Sequence, residues 1–148
     1  MTETTYRITV GDGRSTEQLV ADGRYGYAHS AVIAENFPVS RAVIPRTREI
    51  VLIALAREAT ASEALVEAAR RNLAAPTYDD ALHFGAAHPE IQRDGPVVFL
   101  HEPWLGYFGR RDVLVLWCNA GRRELGLEGF DEVFGAAHRF AFVRPASV

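Results

Sequence analysis

The chain has 148 residues, 48% of them apolar and 24% charged, which is enough to build one core without disulfides or metals. Its formal net charge of −3 argues against a general electrostatic affinity for nucleic acid or anionic membranes. The single cysteine, Cys118, excludes an intrachain disulfide and fits a reducing compartment.

The opening MTETTYRITV lacks the basic start and apolar stretch of a signal peptide. No apolar run approaches the roughly 20 residues that span a bilayer. The expectation is one soluble, cytoplasmic domain over residues 1–148, with no membrane and no nucleic-acid partner.

Tyr6 to Val10 alternates apolar and polar residues and stops at Gly11-Asp12-Gly13, which predicts a half-buried strand. Ser15 or Thr16 can cap a short helix carrying Leu19 and Val20, ended by Gly23. From Arg24 to Pro45 the periods are mixed and prolines interrupt, so no element is predicted. Glu49 to Ala56 (EIVLIALA) is a short apolar run rich in β-branched residues and reads as a buried strand.

Thr60-Ala61-Ser62-Glu63 has the form of a capping box, which opens a helix running to about Leu73. Pro76-Thr77 starts a second helix, with Asp79 and Asp80 in the first turn where the dipole favours anions, and Pro89 stops it near His88. The two read as a helical hairpin. Four strands follow: Val97 to His101, Asp112 to Cys118, Arg122 to Leu127 and His138 to Arg144. Asn119-Ala120-Gly121 forms a tight hairpin loop. The last strand should place His138, Phe140 and Phe142 on one face and Ala141 and Val143 on the other. The expected fold is therefore α+β, a mainly antiparallel sheet of about five or six strands with the helical hairpin packed on one face.

Between Ser62 and Trp104 the chain carries Ser62-Glu63-Ala64-Leu65, then Pro76-Thr77-Tyr78-Asp79-Asp80-Ala81-Leu82-His83-Phe84-Gly85, then His88-Pro89-Glu90-Ile91-Gln92 and Val97-Val98-Phe99-Leu100. With the closing Arg139–Arg144 segment, this resembles a group of small uncharacterised bacterial proteins sharing P-[AT]-x-x-[DE]-x-L-x-F-G and P-E-[IL]-Q. The resemblance marks a fold and brings no activity.

His101 at a strand end is the catalytic candidate, because histidine titrates near neutrality and strand ends feed functional loops. Adjacent strand residues point to opposite faces, so Glu102 is not placed to orient it. His83 and His88 are five apart, off one helical face, and no H-E-x-x-H or cysteine pair occurs, so no metal or other cofactor is expected. Cys118 closes an apolar strand and reads as a core residue.

Arg110-Arg111 and Arg122-Arg123 flank the same hairpin and read as a local basic edge. The binding candidates lie in the loop Trp104-Leu105-Gly106-Tyr107-Phe108-Gly109, in which Trp104, Tyr107 and Phe108 are costly to leave in water, with Arg111 beside them. The first functional expectation is a non-catalytic binding module, self-associating or meeting a protein partner through this loop. The alternative is a small-molecule enzyme with His101 as acid or base and Tyr107 or Arg111 orienting the substrate.

Overall fold

The computed structural model describes residues 2–39 and 43–145, with the side chains of Thr2 and Tyr107 outside that description. Strand β1 (Thr2–Val10) turns its Ile8 and Val10 inward and its Thr5, Arg7 and Thr9 to solvent. Gly11 closes the strand at φ +77°, and a Cβ there would lie 2.3 Å from the Ile44 carbonyl oxygen, so only glycine fits the turn.

Helix α1 (Thr16–Asp22) begins with a capping box in which the Ser15 hydroxyl accepts from the Gln18 amide and the Gln18 side chain accepts from the Ser15 amide. The same reciprocal arrangement opens α2 (Ala61–Arg70) through Thr60 and Glu63, and α3 (Tyr78–Ala87) through Thr77 and Asp80. Helix α2 stops three residues short of the expected Leu73. Asn72 enters the left-handed region at φ +59°, and the Leu73 amide reaches back to the Ala68 carbonyl at 2.9 Å. This is a Schellman end with asparagine in the place usually taken by glycine.

The remaining strands are β2 (Tyr27–Ala28), β3 (Arg46–Ala54), β4 (Ala59–Thr60), β5 (Val97–Phe99), β6 (Trp104–Leu105), β7 (Arg111–Asn119), β8 (Arg122–Gly129), β9 (Val133–Phe134) and β10 (Arg139–Val143). Eight of the strands form one sheet in the order β1-β3-β10-β5-β7-β8-β2, with β6 also pairing β7, while β4 and β9 form a separate two-stranded sheet. The expectation of five or six mainly antiparallel strands is corrected here. The sheet is mixed, because β10 runs parallel to β5 and β2 runs parallel to β8. The last strand does not extend the meander but inserts between β3 and β5, antiparallel to the first and parallel to the second.

The helical hairpin is corrected as well. Helix α3, with α1, packs Ala81, Leu82, Phe84 and Leu19 on the sheet face formed by Ile50, Leu52, Phe99, Leu114 and Leu116. Helix α2 packs Ala61, Ala64 and Ala68 on the opposite face, against Val51, Ile53, Val98, Val115, Phe140 and Phe142. The chain passes from one face to the other at Ala74, whose backbone pairs with Val143 at 2.7 and 2.9 Å, extending the ladder beyond the β5–β10 pairing. Two covered faces explain why β3, β5 and β7 are apolar on both sides. No helix among the described residues is long and apolar enough to cross a membrane.

Candidate binding site at the aromatic loop

Strand β5 ends at Phe99, and β6 resumes pairing with β7 five residues later at Trp104, opposite Asp112. Between them the chain leaves the ladder, and a carbonyl that would serve the Leu114 amide is missing. The His101 ring fills that place: its Nε2 accepts from the Leu114 amide at 3.0 Å. Its Nδ1 donates to the Glu102 carbonyl at 2.7 Å, which fixes the tautomer. The residue is 2% exposed, and burial holds its pKa below the ordinary histidine range. Phe37 and Tyr78 meet the ring edge-on at 6.4 and 5.9 Å. With both nitrogens held by backbone, the ring presents no free lone pair to a substrate. Glu102 is exposed.

From Trp104 the chain turns through Tyr107–Gly109, where Phe108 and Gly109 both take positive φ, and returns as β7, with the Gly106 amide donating to the Arg110 carbonyl at 2.9 Å. The aromatic loop divides by direction. Trp104 folds inward across Gly106, where a Cβ would lie 2.9 Å from the indole ring, and packs on Phe37 at 5.4 Å. Phe108 sits at φ +63° and points outward, fully exposed. The left-handed region costs a residue with a Cβ about 1–2 kcal/mol, and within the single chain the Phe108 ring buries nothing in return. The Tyr107 side chain lies outside the described residues.

Beside Phe108 lies a cleft of about 340 Å³ between the hairpin and the turns of residues 29–36, walled by Trp104, Phe108, Ile33, Leu127, Arg110 and Asp112. Arg110 Nε donates to Asp112 Oδ1 at 2.5 Å inside it. The turn opposite is held by His29, whose Nδ1 accepts from the Ala31 amide at 3.0 Å, and by Asn36, whose side-chain amide donates to the Ala31 carbonyl at 2.8 Å. These residues come from the stretch Arg24–Pro45, where mixed periods conceal any pattern. They are built by successive turns, which have no periodicity to read.

Arg111 does not join the cleft. Strand alternation places it on the other face, where its guanidinium stacks over Phe130 at 4.9 Å and bonds to Asp131. The other arginines of the expected basic edge are also engaged. Arg122 bonds Glu124 at 2.6 Å, and Arg123 is buried, donating to the Gly23 and Gly85 carbonyls and to Gln92.

The buried side chains of Asp80 and His83 are engaged within the fold. Asp80 is fully buried, takes both oxygens of its carboxylate to Arg48 at 2.7 and 2.8 Å, and also accepts from the Thr77 amide. His83 is buried against Arg14, at 3.4 Å from its Nδ1, and burial lowers its pKa. Cys118 is half-buried at the end of β7. Among the described residues no group of three or more histidine, cysteine or acidic side chains gathers where it could hold a metal ion.

No family model, curated protein or solved structure matches this chain.

Proposed function

We propose that the protein is a non-catalytic binding module whose contact surface is the tip of the β6–β7 hairpin and the cleft beside it. The observation that carries this reading is Phe108, a large aromatic held fully in water on a left-handed backbone. Strain of this kind concentrates at functional positions, and aromatic side chains supply much of the energy at binding hot spots because they bury a large area with few rotors.

The hairpin is preorganised by the Gly106–Arg110 hydrogen bond and by Trp104 packing on Phe37, so little ordering is left to occur on binding. The engagement of both His101 nitrogens, and of Arg111 with Asp131, supports binding over proton transfer.

The test is a photoreactive side chain replacing Phe108 in the full chain, expressed in cells, with the same group at Val66 as an exposed control on α2. Position 108 is expected to give a discrete cross-linked adduct and position 66 none. Equal, diffuse labelling from both positions would contradict the reading.

A further inference from the structure

We propose that the partner at this surface is a second copy of the chain, docked about a two-fold axis with each Phe108 ring seated in the other copy's cleft; this rests on the binding reading above. In a two-fold contact the same patch faces itself, so whatever residue i touches on j, j touches on i. A surface suited to that must carry its own complement, and this one does. The exposed Phe108 ring is a knob, and the cleft next to it, about 340 Å³, has an apolar wall of Ile33, Trp104 and Leu127 facing a polar one of Arg110, Asp112 and Asn36. An enclosed apolar cavity of about 150 Å³ holds a benzene ring; this cleft is open to solvent and larger, so one phenyl ring fits against its apolar wall.

The charges around the tip point the same way. On the cleft side of the tip Arg110 pairs with the buried Asp112, and on the other face Arg111 pairs with Asp131, with the exposed Glu102 and Glu132 at the margins. A rim of both signs can pair plus to minus across a two-fold axis. It would repel a polyanion such as nucleic acid, or an anionic lipid surface, along half its length.

The other route to self-association, strand addition at the long edge strand β1, is obstructed. His88 Nε2 donates to the Arg7 carbonyl at 2.8 Å, occupying an acceptor that an added strand would need. The Arg7 side chain stands exposed beside it. Such devices protect sheet edges from pairing.

One hairpin and one turn from each copy make a contact at the small end of interface sizes, so the dimer forms reversibly with concentration. Sedimentation equilibrium of the full chain over a concentration series reads this directly. The wild type is expected to move reversibly between one and two chain masses. Phe108→Ala removes the knob and Ile33→Lys spoils the cleft, and each is expected to weaken association at least about tenfold, as loss of a hot-spot residue does. Both positions are exposed, so circular dichroism should show both variants folded.

Mixing the two variants is expected to restore part of the association, because the Phe108 ring kept by Ile33→Lys meets the Ile33 wall kept by Phe108→Ala. A wild type that stays monomeric throughout would overturn the proposal, as would a dimer indifferent to Phe108→Ala or a mixture that recovers nothing. A monomeric chain that still cross-links from position 108 to a different molecule would remove the second copy and leave the binding reading standing. A monomeric chain with no adduct would remove both.

Discussion

The imidazole of His101 stands where a strand carbonyl would stand if β5 ran on into β6. Truncation by His101→Ala leaves the Leu114 amide buried without an acceptor and opens a gap beside Phe37 and Tyr78. The expected loss is roughly 2–4 kcal/mol in urea unfolding, from the unmade hydrogen bond and the lost packing together, and His101→Gln, which keeps an acceptor, should recover part of it.

The same residue carries a pH signature. Burial depresses the folded-state pKa of His101 and of His83, so below the ordinary histidine value the unfolded chain binds more protons than the folded one. The contribution of these two histidines is complete above about pH 6.5 and falls as pH drops below it, by at most about 1.4 kcal/mol per unit for each. This precedes any loss from Glu63 and Glu67, whose lowered pKa values place their titration further into acid. Unfolding measured against pH should show a shallower acid limb for His101→Gln; an unchanged limb would remove His101 from the account.

Arg123 gives a second case at this scale. Its guanidinium is buried without a carboxylate, but the carbonyls it reaches, Gly23 and Gly85, lie at the C-terminal ends of α1 and α3, where the helix dipoles are negative. Tyr25 stacks on it at 4.8 Å, and burial pushes the Tyr25 hydroxyl up to about 12. In sequence Arg122-Arg123 reads as a basic pair; strand alternation alone sends one outward and the other into the core.

Among the elements, those signalled locally were legible. The three helix starts follow from short-range chemistry at Ser15, Thr60 and Thr77 that the sequence states within four residues. The β7–β8 hairpin was legible for the same reason. Asn119 pairs with Arg122, and Ala120 and Gly121 both take positive φ, +52° and +82°, as a type I′ turn demands.

Alanine is a poor choice there. Its Cβ costs about 1–2 kcal/mol in the left-handed region, whereas glycine adds about 0.5–1 kcal/mol of backbone entropy to be lost on folding. Ala120→Gly is therefore expected to stabilise the protein by about 0.5–1 kcal/mol, seen as a higher urea midpoint at unchanged slope. A lower midpoint would mean that the turn is not the one described. The aromatic loop was legible only as a cluster. That Trp104 would fold in and Phe108 out depends on two consecutive left-handed residues, Phe108 and Gly109, which no side-chain pattern announces.

At the scale of the whole molecule, the sheet order was not legible because strand pairing is non-local. Nothing near Arg139–Val143 says that it inserts between β3 and β5, and β2 is too short to show a period. The placement of α2 and α3 on opposite faces follows from the crossing at Ala74, which is likewise a pairing with a distant strand.

An alternating chain of charges, Arg70-Glu67-Arg71-Glu3-Arg144-Glu49-Arg7, with separations from 2.8 to 4.0 Å, ties α2 to β1, β3 and the end of β10. Apart from the largely shielded Glu67–Arg71 pair, these pairs have at least one exposed partner and each contributes little, and the two apolar clusters on either side of the sheet hold the fold. Against that well-packed background the ring of Phe108 is left fully in water.

The most direct measurement replaces Phe108 by a fluorinated phenylalanine and follows its fluorine resonance, first with the pure chain at rising concentration and then in cell lysate. If the hairpin tip is a binding surface, the resonance shifts and its solvent-isotope sensitivity falls as the ring leaves water, already in the pure chain if the partner is a second copy. A ring that stays fully solvated under both conditions would contradict the account.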